Sequence, residues 1–388
     1  MTGPIRVALV GCGAIGRKHA LAVEQHPAFA LVAAVDPVEA YSAALLADHA
    51  PTSPEPAAYS TLPDALRECR IDLVVICTPS GTHLDLAQQA VDAGTHVVIE
   101  KPLDVSVTRA AAFARRAANT GKVVTVISQH RFDPASVAVA RAVHDGSFGR
   151  PTSAVASVAW WRDQSYYDGG DWRGTWRLDG GGALMNQGVH TSDLLCWFLG
   201  RPVEVQATAS LLAHERIEVE DTVATTIRFE SGAIAVLLAT TAAYPGLTAR
   251  LQIHGTEGSA VIDNDRLEYF HSAKSADHHR PGGAGSVTGG AVTGNQAEAE
   301  VGFVNTPAGP HGDQDFVLGH RRQYDDIARA ITTGTEPGVT VDDALLSLAL
   351  VRSIYVSAAV GERISVAEVL DGKYSDVHLD VLRGTRGK

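Results

Sequence analysis

Over the first 128 residues, short apolar runs alternate with amphipathic segments. The runs at 5–10, 31–35, 72–77, 96–99 and 123–127 are too short for buried helices and apolar on both faces, the pattern of strands inside a parallel sheet. Between them, 17–26, 61–69, 84–93 and 106–119 show helical spacing; Thr61 stands at a cap position, and Gly94 and Gly121 close two of the segments. Strand and helix in strict alternation, with short loops, predict an α/β doubly wound parallel sheet. Beyond residue 128 the pattern changes. A helix is expected at 134–145 and a turn at 149–151. Strands are expected at 152–161, 203–211, 222–229, 233–240, 249–254, 259–263 and 267–270. Such a run of strands predicts a mostly antiparallel sheet, one face covered by helices and the other open. The chain therefore divides into 1–128 and 129–388. In the second part, 183–199, 316–333 and 341–360 read as helices. The stretch 271–314, glycine-rich around 281–294, reads as a long mobile excursion whose His278 and His279 lie in a solvated loop.

The first turn carries specific chemistry. Gly11, Gly13 and Gly16 lie between the first strand and the first helix, with Ala14 and Ile15 opening that helix. The first glycine permits the turn, the second lets backbone approach a pyrophosphate, and the third lets helix and strand pack closely. The helix N-terminus offers free amides to phosphates. Asp36 ends the second strand about twenty residues later, where a carboxylate reaches ribose hydroxyls. With no arginine near it in sequence, Asp36 favours NAD over NADP. Thr78, Pro79, His83, Glu100, Lys101 and Gln129 also fall at or just beyond strand ends, the edge where such sheets bind ligands.

Composition narrows the field. A chain 45% hydrophobic and 20% charged has ample core, and a net charge of -12 argues against nucleic acid and anionic membranes as partners. No secretory leader is read at the N-terminus, and a cytoplasmic protein is expected. Cys12, Cys69, Cys77 and Cys196 are scattered singly, matching neither a zinc site nor a disulfide framework.

After the triple glycine 180–182, Asn186, His190 and Asp193 are spaced by four and three, so they share one side of the expected helix 183–199. Lys101 from the first domain and His190 from the second are the expected acid/base groups. Asn186 is expected to orient a hydroxyl. Asp193 either orients His190 or bonds the domain interface. Between sheet and helix, Trp160, Trp161, Trp172 and Trp176 lie among arginines and aspartates. Aromatic rings with charged neighbours suit carbohydrate, so Trp161, Trp172 and Arg173, with Arg131, are the candidate substrate contacts, the arginines toward an anionic substituent.

The glycine loop, Cys77-Thr78-Pro79 with His83, Glu100-Lys101-Pro102, and Gly181-Gly182 with Gly188, His190 and Asp193 together resemble the glucose–fructose oxidoreductase and inositol dehydrogenase (Gfo/Idh/MocA) family. The resemblance implies a Rossmann domain followed by an α/β domain with a large open sheet. It implies NAD(P)-dependent oxidation of a sugar or cyclitol hydroxyl, with Lys101 and His190 at the catalytic positions; no spacing of candidate ligands in the sequence calls for a metal. It also implies a homodimer or homotetramer through the C-terminal sheet. Many inositol dehydrogenase-like members carry Asp where this chain has Asn186, which leaves His190 or Lys101 as the base. The alternatives are a ketosugar reductase and a non-catalytic nucleotide-binding sugar sensor.

Overall fold

The computed structural model describes residues 3–48, 55–273, 294–302, 313–378 and 380; the segment 281–293 and the pair His278 and His279 lie outside them. The expected parallel sheet is present. Its strands are β1 (Ile5–Val10), β2 (Phe29–Val35), β3 (Ala57–Tyr59), β4 (Leu73–Ile76), β5 (His96–Ile99) and β6 (Val124–Val126). They lie in the order β3-β2-β1-β4-β5-β6, all parallel. The order reverses between β1 and β4, so the cleft opens beyond Val10 and Ile76, where the glycine loop and Thr78 sit. β4 is buried at every position, as its unbroken apolar run requires. Thr61 caps the helix Leu62–Glu68, its side chain accepting from the Asp64 amide. The short edge strand β3 and the helix Glu39–Asp48 are elements that the apolar pattern leaves unmarked.

The second sheet contains β7 (Pro151–Ala159), β8 (Pro202–Ser210), β9 (Thr222–Phe229), β10 (Ile234–Thr240), β11 (Ala249–Gly255), β12 (Gly258–Asp263), β13 (Arg266–Ser272) and β14 (Ile364–Ser365). The order is β13-β12-β11-β7-β10-β9-β8-β14, antiparallel except where β7 and β10 run parallel. Alternation along β9 and β10 buries Val223, Ile227, Ala235 and Leu237 on one face. The opposite face leaves Val155, Ile234, Val236 and Leu238 exposed. The β12–β13 hairpin turns at Asn264 and Asp265, both with positive φ (51° and 66°), as a tight two-residue hairpin turn demands.

Helices from the C-terminal part tie the two sheets together. Val341–Val360, apolar and long enough to cross a membrane, is a core helix here: it packs on β8, on Val107–Ala117 and on Val189–Leu199. It starts at a capping box, Thr340 with Asp343, and ends at Gly361 with φ 75°. Asp313–Thr333 returns to the first sheet and packs on Ala14–Glu24. From it, Gln323 accepts from the Ser128 amide (3.0 Å) and donates to the Val126 carbonyl (2.8 Å).

The expected single helix at 183–199 is two segments. A π-helix, Ala183–Gly188, runs into an α-helix, Val189–Leu199. Its first amides, which have no partner within the helix, are taken up by buried side chains. Glu220 accepts from Gly182 N (3.0 Å) and Leu184 N (2.9 Å), and the Tyr355 hydroxyl accepts from Met185 N (3.0 Å). The approach is close enough that a Cβ on Gly182 would stand 1.7 Å from the Glu220 carbonyl oxygen.

Candidate active site

One cleft of about 1750 Å³ runs from the glycine loop to the second sheet. At the Rossmann end it is lined by Gly11, Gly13, Ala14, Ile15, Asp36, Thr78 and Pro79. Gly16 does not line it but packs beneath: a Cβ there would meet the Gly11 carbonyl oxygen at 2.0 Å. A Cβ on Gly13 would meet nothing within 4 Å, so this glycine leaves space on the cleft side of the loop. The Asp36 carboxylate accepts from Cys12 N and Val38 N, each at 2.9 Å, which fixes it at the rim of that space. Deeper in, Gln129 and Gln187 line the cleft, and each has a buried side-chain oxygen without a hydrogen-bond partner among the described residues. Open space at the glycine loop, a fixed carboxylate at ribose distance in sequence, and orphaned amide oxygens further in fit a dinucleotide.

Lys101 enters from the end of β5, after Glu100. Glu100 accepts from Lys101 N (3.0 Å) and from His19 Nε2 (2.8 Å), whose other ring nitrogen meets the Tyr324 hydroxyl at 2.9 Å. The Lys101 ammonium donates to the Asn186 carbonyl (2.9 Å) and to its side-chain Oδ1 (3.3 Å). Burial pushes the Lys101 pKa below the ordinary lysine value, and Arg162 pushes the same way, while Glu100 and Asp179 oppose them. Asn186 also donates to Asp179 Oδ1 at 2.9 Å, so its amide is held between lysine and carboxylate. Asp179 itself is buried, and burial raises its pKa to about 6.

His190 lines the same cleft. Burial, with Lys101 and His130 adding to it, drives its pKa well below the ordinary histidine value, so the ring is neutral. Neither ring nitrogen makes a hydrogen bond among the described residues. The His130 ring meets it edge-on, centroids 4.9 Å apart. His130 has the opposite character. Burial opposes its charge, but Asp265 and Asp133, at 2.9 and 3.0 Å from Nδ1, hold it protonated. The hairpin tip at Asp265 thus reaches the rim of the cleft.

Several sequence expectations need correction. Arg131 is not in the cleft. It is buried and gripped by Asp193 through two hydrogen bonds of 2.7 Å, with Asp343 at 3.4 Å and the Trp197 ring 5.6 Å away. Asp193 also accepts from Ser128 and Ser347. Of its two expected roles it has the interface one, joining the end of the first domain to two helices of the second. His83 is not a cleft residue either: its ring nitrogens lie 2.8 Å from the Thr78 and Pro102 carbonyls and tie two strand ends together. Trp161 turns away to Tyr244 and His214, and Trp160 lines the cleft in its place. Trp172 and Arg173 do line it, joined by Arg162 and Tyr166, which were not anticipated. Asp179 was also missed; its only signal was a carboxylate directly before three glycines.

Comparison with known proteins agrees with this geometry. Residues 5–128 match the family model described as "Oxidoreductase family, NAD-binding Rossmann fold", and residues 136–261 match that of the GFO/IDH/MocA C-terminal domain. Inositol 2-dehydrogenase of Rhizobium meliloti (strain 1021) is 27% identical over 367 residues, covering 94% of this chain and 99% of the relative. Levoglucosan dehydrogenase of Pseudarthrobacter phenanthrenivorans is 27% identical over 302 residues, 70% of this chain and 77% of the relative. The WlbA dehydrogenase from Bordetella pertussis, solved with NADH and UDP-GlcNAcA, superposes with a TM-score of 0.81 at 30% identity, over 94% of this chain and 98% of that one. The matched models, the two sheets and the dinucleotide cleft converge: this chain belongs to the Gfo/Idh/MocA family of NAD-binding oxidoreductases.

Proposed function

We propose that the protein is an NAD-dependent dehydrogenase that oxidises a secondary hydroxyl of a sugar, sugar derivative or cyclitol, with Lys101 and His190 handling the proton. The observation that carries this is a convergence. A lysine from the first domain and a neutral histidine from the second, its ring nitrogens without a hydrogen bond among the described residues, line one cleft, with Asn186 bonded to the lysine. A sensor that only binds nucleotide has no use for such a pair. The inositol and levoglucosan dehydrogenases among its relatives support the substrate class.

The loop Gly11–Gly16, with Asp36, would hold the dinucleotide's phosphates and ribose, and Gln129 would face its far end. The bound cofactor supplies the hydride acceptor. The protein's own work is at the hydroxyl: lowered basicity readies Lys101 to take its proton, and the neutral ring of His190, with one donor and one acceptor nitrogen, relays it. Asn186, clamped by Asp179, fixes the Lys101 Nζ so that it need not reorganise during reaction. Asp36, whose carboxylate forms no ion pair among the described residues, favours NAD over NADP. In this reading residues 1–128 carry the cofactor and 129–388 the substrate. The open face, with Val155, Ile234, Val236 and Leu238 exposed on adjacent strands, pairs with a second copy in a homodimer or homotetramer. Incubating the pure protein with NAD and a panel of sugars and cyclitols, followed by NADH absorbance, tests the activity. NAD binding without turnover of any of them would instead support a sensor.

A further inference from the structure

Four arginines line the cleft: Arg17, Arg162, Arg173 and Arg250. Two are already neutralised, Arg17 by Asp48 at 3.1 Å and Arg250 by Asp263 at 2.8 Å. Arg162 and Arg173 form no ion pair among the described residues. Each instead lies against aromatic rings. The Arg162 guanidinium is 5.5 Å from the Trp160 ring centroid and 5.1 Å from that of Tyr166. Arg173 is 4.7 Å from Tyr166 and 5.0 Å from Trp172. In both, Nε is buried and has no hydrogen-bond partner among the described residues. Their backbones are fixed as well. Arg162 N donates to Thr241 O at 2.9 Å and its carbonyl accepts from His214 at 2.7 Å, while Arg173 N donates to Gly170 O at 3.1 Å.

Arg173 Nη1 does donate to Tyr166 O at 3.4 Å, but two cations held in place by rings, each with an Nε shut off from water and unpaired among the described residues, are costly unless something in the cleft completes them. The carboxylate within electrostatic reach of Arg173 is Asp179, whose oxygens already accept from Gly174 N and Asn186. It also faces Lys101, which has Glu100 as a further acidic neighbour, and Asp163 lies within reach of Arg162, but Glu100 already accepts from His19 and Asp163 from Ser165 and Tyr166 N. A neutral polyol leaves the two buried Nε donors without a charged partner. A planar anion supplies one, because the Nε and Nη donors of a guanidinium match the two oxygens of a carboxylate.

We propose that Arg162 and Arg173 form an anion-recognition pair that selects a sugar carrying a carboxylate, of the hexuronic acid class, as the substrate. The inference rests on the dehydrogenase reading for the reaction of the bound sugar, but the recognition itself is separable from turnover. The test is calorimetric titration of the NADH-loaded protein, which binds without reacting. The titrants are D-glucuronate, D-galacturonate and UDP-glucuronate, with glucose, galactose, myo-inositol and glucose 6-phosphate as comparators. A uronate, free or nucleotide-linked, should bind at least about tenfold more tightly than its neutral counterpart. Arg162→Gln and Arg173→Gln should each weaken that binding roughly 10- to 100-fold, the scale of one charge-assisted contact, and leave NADH affinity intact. Arg173→Lys, which keeps the charge and loses the fork, should recover only part. Equal binding of acid and neutral sugars, preference for the sugar phosphate, or no sugar binding at all would overturn the proposal. Uronate binding without NADH production from NAD would sink the dehydrogenase reading and leave the recognition pair standing. Turnover of neutral sugars with no preference for uronates would do the reverse.

Discussion

Asp193 stands where a catalytic orienting residue would be sought, three residues after His190, yet its contacts are those of a structural joint. It accepts both donors of the Arg131 fork at 2.7 Å and further hydrogen bonds from Ser128 and Ser347, and it is 5% exposed. Asp193→Ala leaves a buried guanidinium with only the longer Asp343 contact. Breaking a buried pair by removing one partner costs about 3–5 kcal/mol. That is a large share of the roughly 5–15 kcal/mol a domain has in hand. The assay is urea unfolding followed by tryptophan fluorescence, since Trp197 packs against Arg131. The doubly apolar variant Arg131→Met/Asp193→Leu leaves only Asp343 without its arginine, a carboxylate that is partly exposed and still accepts from Thr340, and should recover much of the loss. Turnover by the folded fraction of Asp193→Ala should stay near that of the parent protein. A loss under about 1 kcal/mol, a double variant no better than the worse single one, or turnover abolished in a protein of unchanged stability would refute this reasoning.

Lys101→Met and His190→Ala should each keep NAD affinity while losing turnover by about 10²–10⁴-fold, the usual contribution of an acid/base group; comparison of NAD titrations with initial rates checks this, and near-normal rates would return both to structural roles. Asp36→Ala should narrow the preference for NAD over NADP, because the carboxylate at the end of β2 no longer repels a 2′-phosphate; tighter NADP than NAD binding by the parent protein would contradict the assignment. The pH profile should report Lys101. Oxidation needs the uncharged amine, so the rate rises with pH through its lowered pKa. Arg162→Gln removes a neighbour that disfavours the ammonium, so the limb should move to higher pH. Asp179→Asn removes one that favours it, so the limb should move to lower pH. Shifts in the same direction would show that another group sets the profile.

Much of this was legible because local chemistry left few options. Gly11 and Gly16 must be glycine where a loop turns against a strand, and Lys101 had to fall at a ligand edge once the strand before it was recognised. Other residues were hidden for identifiable reasons. Trp160 and Trp161 differ by one position, and strand alternation sends them to opposite faces. The inward set Ala154, Ala156 and Val158 continues to Trp160, so the parity of β7 held the answer. Arg131 looked like an anion site because its partners Asp193 and Asp343 are distant in sequence. Glu220, which accepts from the amides of Gly182 and Leu184, lies beyond the reach of local pattern for the same reason. A helix wheel over 183–199 assumes 3.6 residues per turn throughout, and the π-helix Ala183–Gly188 breaks that assumption in its first half.

The central claim is that the cleft moves a hydride from a sugar carbon to NAD with Lys101 and His190 managing the proton. Its most direct measurement uses a sugar from the panel that is deuterated at the oxidised carbon, with mass spectrometry of the reduced cofactor. The account predicts that the deuterium appears on NADH with the parent protein, and at a rate lowered by orders of magnitude with Lys101→Met of equal NAD affinity. A reduced cofactor without the label, or full-rate transfer by that variant, would contradict it.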